Sequence, residues 1–365
     1  MKRLSTILPF IPVVIGLVAF QVITSLAGRD YYLTQMIMAA YYAIVVMGLC
    51  LVMGYAGQVS LGHGAFFALG GYTSAVLTTH DFSAAAPGCL KVLGTLRLVA
   101  ARSDLYGNQI LTFNPWAAFV LGLLLTLGVA LLVGYPALRL KGHYLAMATL
   151  GFGLIIYRLL LANEITGGAD GITGVPAWEM APGLTVSGRR AYRVVNFYLA
   201  WGLGLGVLLL LGNVVRSRPG RALRAIHEGE LAANAMGVNT AGYKLRTFVL
   251  SALLAAGAGS LLTHYSGGIG PSEAGAMKSV RYVALVAAGG MGNLWGVLIV
   301  STLLNFLSLR GCFGSFDHAV FGAILIVIVS LAPQGPFKPV AQWIAGLRRS
   351  FTKERSPAHG AARRS

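Results

Sequence analysis

The chain has 365 residues, 56% of them hydrophobic and only 11% charged, with a mean hydropathy of +0.72 and a net charge of +17. That balance excludes an ordinary water-soluble domain and fits one polytopic membrane domain. The basic excess does not point to nucleic acid, because no basic groove interleaved with aromatic side chains is present; Lys and Arg beside apolar spans instead attract anionic headgroups and orient the chain.

No Asp, Glu, Lys or Arg occurs between Asp30 and Asp81, Asp104 and Arg139, Arg193 and Arg216, Arg281 and Arg310, or Asp317 and Lys338. About 20 apolar residues cross the ~30 Å hydrocarbon core, so each gap holds at least one span. Ten spans are predicted, at about 7–27, 34–53, 63–79, 115–134, 143–160, 195–214, 246–265, 279–290, 294–309 and 318–333. The first follows Lys2 and Arg3 but has no convincing small-x-small cleavage site and runs long enough to stay as an anchor, so it reads as a retained span rather than a signal peptide. Placing the N-terminus in the cytoplasm puts most of the 28 Lys and Arg on that side, which favours both termini inside. The expected fold is an all-α bundle of about ten membrane spans, with a membrane domain over 1–337 and a basic cytoplasmic tail over 338–365 that is disordered at its end.

Glycine-rich runs interrupt the spans. GYAGQVSLGHGAFFALGGY carries Gly57, Gln58, Ser60 and His63, and AAGGMGNLWG carries Gly289, Gly290 and Asn293. Several glycines beside polar residues mark either tight helix packing or a broken helix lining a path, and the sequence leaves both open. The 80–114 excursion, interrupted by Lys91, Arg97 and Arg102, reads as an amphipathic or loop segment at the outer surface. Turn signals fill 162–194, with NEITGGADGITGVP at its start. Cys50 falls in a span and Cys89 and Cys312 in outer loops; the last two can pair if that side is oxidising, and free thiols are the default. His63, His143 and His264 lie on separate spans without metal-ligand spacing, so packing or backbone hydrogen bonding is their expected role. Arg158 and Arg281, near span ends, are expected to snorkel outward.

The most informative segment is 216–246, a charged helix-like loop between apolar spans. Pro219 suits a first helical turn and Gly237 the position after the last, which predicts one helix over about 220–236. At helical spacing Leu223, Ile226, Glu230 and Ala233 share a face, while Arg221, Arg224, His227 and Glu228 spread over the others. Such a helix either rests on the membrane surface or docks in a groove of another protein.

Glu230, Ala232, Ala233 and Gly237 form a Glu-x-Ala-Ala-x-x-x-Gly pattern that resembles the coupling loop of ABC importer permeases. In more detail the chain resembles the LivM-type branched-chain amino-acid permeases. The matching segments, in order, are Gly54 to Leu77, Leu138 to Gly153, Gly167 to Pro176, Ser217 to Gly237, Gly289 to Gly296 and Ala332 to Phe337. This resemblance implies a non-enzymatic subunit of a bacterial inner membrane, working with a second related permease, two cytoplasmic ATPases that use ATP and Mg, and an extracytoplasmic binding protein. It implies that Arg221, Arg224, Glu228, Glu230, Ala232, Ala233 and Gly237 meet an ATPase. Consistent with energy arriving through a partner, no Lys follows a Gly anywhere, so there is no phosphate-cradling Gly-x-x-x-x-Gly-Lys loop. The 80–114 excursion is longer than the family's usual connection.

On this reading Gly57 to Gly64 and Gly289 to Gly292 lie near the solute path or its cytoplasmic gate. Two other readings stay open: a urea or short-amide ABC permease, which resembles the chain at nearly the same motifs, and an ion-driven carrier. The second is expected to bury paired carboxylates within spans, whereas the acids here fall in predicted loops.

Overall fold

The computed structural model describes residues 10–82, 99–103, 109–138, 140 and 142–311, with isolated positions between 319 and 327. Helices stand at every expected position from 7–27 to 294–309: α1 (Phe10–Leu26), α2 (Tyr31–Cys50), α3 (His63–Thr79), α4 (Pro115–Ala137), α5 (His143–Ala162), α6 (Arg193–Arg216), α9 (Thr240–Ser266), α10 (Ala276–Gly289) and α11 (Leu294–Leu309). Two short helices, α7 (Arg218–Glu228) and α8 (Glu230–Ala235), lie between α6 and α9. The segments Tyr31–Tyr55, Pro115–Ala137, His143–Ala162, Arg190–Arg216 and Thr240–Ser266 are long and apolar enough to cross a bilayer, and α1 and α11 are shorter apolar helices. Apart from those isolated positions, the expected tenth span at 318–333 lies outside the described residues, as do the 338–365 tail, Cys89 and Cys312.

Helix ends follow local chemistry. Asn114 accepts from the Trp116 N–H with Pro115 in the first turn of α4, Asn239 accepts from Gly242 N–H at α9, and Asn293 from Gly296 N–H at α11. The helix α2 is central, with 89% of its most apolar window buried, against 33% in α4 and 28% in α5, which present most of their surface outward. Lipid offers no hydrophobic drive between helices, so close approach of small residues holds the centre together. At the α3/α9 contact, Ser74 and Ser260 hydroxyls lie 2.6 Å apart. A Cβ on Gly70 would sit 2.1 Å from the Ala256 carbonyl, and one on Gly259 2.0 Å from that of Phe67.

Small sheets cover the end of the bundle away from α7 and α8. Strand β1 (Val99–Ser103) pairs antiparallel with β2 (Gln109–Phe113), so part of the 80–114 excursion is a hairpin rather than a helical or irregular segment. Strands β3 (Ile172–Thr173) and β6 (Gly268–Ile269) pair, and β4 (Trp178–Ala181) turns back on β5 (Leu184–Val186). Trp178 is buried against His264, whose Nδ1 donates to the Pro176 carbonyl at 2.9 Å.

Two helices begin inside the bundle rather than at its ends. The His63 ring at the start of α3 lies 2.7 Å from the Ser251 hydroxyl, and Ser251 is about 16 Å along α9 at 1.5 Å per residue. The start of α10 is held at a similar depth. Gly64 N–H donates to Ser279 Oγ at 3.1 Å, and Glu273 accepts from the Tyr42 hydroxyl at 3.1 Å, with Tyr42 about 16 Å into α2. The chain after α9 therefore folds back between the helices instead of staying in an outer loop. Glu273 and Lys278 accordingly stand within the bundle, 2.8 Å apart, and not among the loop charges. Charge counting could not place them, because a pair that neutralises itself is tolerated where a single charge is not.

Candidate functional site: the α7/α8 hook and the glycine breaks

The charged loop forms two helices, not the single one predicted. Gly229 is extended, with φ −171° and ψ 100°, and separates α7 from α8. Glycine inside a helix costs about 1 kcal/mol relative to Ala, and breaking there lets Glu230 reach Lys244 at 2.6 Å. Leu223, Ile226 and Ala233 are buried against the rest of the chain, and Glu230 no longer shares their face as part of one continuous helix. Gly237 ends α8 in a left-handed turn, φ 82°, its N–H donating to the Asn234 carbonyl and that of Val238 to Ala233.

The side chains of this hook divide by task. Arg224 is exposed but folds back along the α6/α7 junction, Nη2 donating to the Val215 carbonyl in the last turn of α6 at 2.9 Å and Nε to the Gly220 carbonyl in the first turn of α7 at 3.4 Å. Arg221, Glu228, Ala232 and Gly237 are exposed. Leu231 and Met236 are exposed too, at 77% and 84%. The single-helix reading missed both: only with the break at Gly229 do two large apolar side chains stand on the outer side of a charged loop.

The hook touches the first glycine break directly. After α2 the chain makes one π-helical turn, Leu51–Tyr55, and Gly57 then takes a left-handed φ of 68°. A Cβ there would lie 2.9 Å from His227 Nδ1 of α7. The two breaks also meet each other. A Cβ on Gly54 would fall 2.2 Å from the Gly292 nitrogen, and the Tyr55 hydroxyl donates to the Gly292 carbonyl at 2.5 Å. Gly289 packs on Val297, Gly290 has φ 95°, and Asn293 starts α11. Ser60 Oγ lies 3.2 Å from His63 Nδ1, so this histidine is held by hydroxyl groups on both ring nitrogens. Gln58 is buried at 4% exposure, with neither amide atom hydrogen-bonded. Beside the breaks, a cavity of about 150 Å³ is lined by Tyr55, Asn213, Arg216, Asn293 and Trp295 among others.

Residues 31–329 match the family model described as branched-chain amino acid transport system / permease component. The chain belongs to that family. It is 31% identical over 318 residues to the high-affinity branched-chain amino acid transport system permease protein LivM of Salmonella typhimurium, covering 82% of this chain and 68% of that protein. It is 25% identical to the permease protein LivH of the same species and 26% to BraD of Pseudomonas aeruginosa, each over 84% of this chain and 95% of the relative. No solved structure gives a significant match. With its apolar helices, this branched-chain permease-family chain is an integral membrane protein and a transport component rather than an enzyme.

Proposed function

We propose that the chain is the permease subunit of an ATP-driven importer in a bacterial inner membrane, translocating leucine, isoleucine and valine handed over by an extracytoplasmic binding protein. The LivM, LivH and BraD relatives bear names of branched-chain amino acid transport permeases, and a second related permease completes the membrane pair. Two cytoplasmic ATPases hold the ATP and Mg; this chain binds neither. The α7/α8 hook faces the cytoplasm and docks on one ATPase.

The observation that carries this reading is the contact of His227 with Gly57, which joins the exposed loop to the helix break that follows α2. Leu231 and Met236 supply the apolar anchors of a helix-in-groove contact. When the ATPases close, the hook moves with them. His227 then displaces Gly57, and the Tyr55–Gly292 hydrogen bond passes the movement to the second break. Packed contacts without slack move together rather than deform.

The test is uptake by proteoliposomes holding the assembled complex and its binding protein, with leucine and urea compared. ATP-dependent leucine accumulation is expected. Urea uptake in place of leucine would assign the chain to amide transport, and ATP-independent uptake driven by an ion gradient would make it a carrier.

A further inference from the structure

The helix α10 begins inside the bundle at Gly275, which no side chain caps. Beside it Lys278 Nζ donates to Glu273 Oε1 at 2.8 Å and to the Tyr42 hydroxyl at 3.1 Å, while standing 4.4 Å from the centre of the Tyr42 ring. Tyr42 also donates to Glu273 Oε1. Both donors crowd onto one carboxylate oxygen, and the other, Oε2, is buried without a partner. The hydroxyls of Tyr72 and Tyr282, 3% and 1% exposed, have no hydrogen-bond partner either, and the Tyr282 ring packs on that of Tyr42 with centroids 6.3 Å apart. The pair itself is not sealed, with side chains 23% and 17% exposed for Lys278 and Glu273.

A staple that merely held the fold would satisfy its own lone pairs, since each buried polar atom left unpaired costs about 1–3 kcal/mol. Here an acceptor oxygen and two hydroxyls are left over, around a cation, an anion and a helix N-terminus that favours negative charge. Such a set complements a molecule carrying an ammonium and a carboxylate a few bonds apart. We infer that Tyr42, Glu273 and Lys278 form a station in the permease that reads the zwitterion of a passing α-amino acid. The ammonium is taken by Glu273, and the carboxylate by Lys278 and the first turn of α10. The apolar side chain is not read by this cluster. A neutral amide such as urea cannot separate the pair, because it offers neither charge in exchange. This inference rests on the importer reading and deepens it by naming what discriminates amino acids from amides inside the membrane.

The experiment uses the reconstituted complex with its binding protein and the double variant Glu273→Gln/Lys278→Met. Replacing both members of an ion pair by neutral groups of similar size is well tolerated by a fold, so assembly with the partner subunits is expected to match the parent. Leucine uptake is expected to fall by about tenfold or more, because two charge-assisted hydrogen bonds to the solute are lost. Uptake within about twofold of the parent would overturn the inference. Should the double variant fail to assemble, Tyr42→Phe removes one hydroxyl and no charge. Its leucine uptake is then expected to fall by about threefold or more, and unchanged uptake would overturn the inference equally. A parent complex that carries urea and not leucine would instead sink the importer reading for amino acids, and this inference with it.

Discussion

Gly57 and His227 are in contact across the boundary between the bundle and the hook: a Cβ on the glycine would stand 2.9 Å from the imidazole Nδ1. The same glycine has φ 68°, so sterics and backbone both require its missing side chain. A displacement of α7 is felt at once in the break that follows α2.

Replacing Gly57 by Leu therefore tests the linkage rather than the fold alone. The left-handed backbone adds about 1–2 kcal/mol of strain, which a bundle of this size withstands. The complex is expected to assemble and to hydrolyse ATP, while leucine uptake falls to background. Normal uptake by an assembled Gly57→Leu complex would remove the break from the transport cycle.

Glu230 and Lys244 set the angle of α8 on α9. Lys244 is buried and Glu230 half-buried, so Glu230→Lys sets a like charge against a buried cation that has lost its partner, which destabilises the hook locally and repels it from its seat. Uptake per ATP hydrolysed is expected to drop in Glu230→Lys and to recover in Glu230→Lys/Lys244→Glu. Failure of the exchange to restore coupling would mean that Glu230 acts on the partner directly.

Leu231→Ser with Met236→Ser removes the exposed apolar anchors without touching the core. Apolar anchors at the centre of an interface carry about 2 kcal/mol or more each, so ATPase retention during purification of the complex is expected to collapse while the permease pair stays together. Undiminished ATPase retention would move the docking surface elsewhere.

Gly259→Leu serves as a contrast, since its Cβ would overlap the Phe67 carbonyl of α3. Overpacking of this severity costs about 3 kcal/mol or more. This variant is expected to be lost from the membrane altogether, distinguishing a packing glycine from a coupling one by protein level alone.

Helix positions were readable because charge-free gaps and apolar length are properties of one segment at a time. The turn at Gly237 and the Asn293 break were readable for the same reason, as local chemistry. The split at Gly229 was not, because it depends on Lys244 being close enough to take Glu230 out of a continuous helix. The folding back of Arg224 onto the α6/α7 junction was missed likewise: its partners are carbonyls of Val215 and Gly220, which every residue possesses and no pattern announces. Glu273 and Lys278 looked like loop charges because their burial is decided by a chain reversal that brings Tyr42 to them. Both glycine runs were marked for attention, and the contact of Gly54 with Gly292 that unites them emerged only from the fold.

The central claim is that the hook faces the cytoplasm and meets an ATPase there. Oxidative disulfide cross-linking between a cysteine at Leu231, in a chain whose Cys50, Cys89 and Cys312 are replaced by Ala, and cysteines introduced one at a time on the ATPase surface tests it most directly. The predicted result is an adduct with the ATPase subunit that disappears when the ATPase is omitted, in cells whose Leu231→Cys is closed to membrane-impermeant thiol reagents from outside. Labelling of that cysteine from the outer side of intact cells, with no adduct formed, would contradict the account.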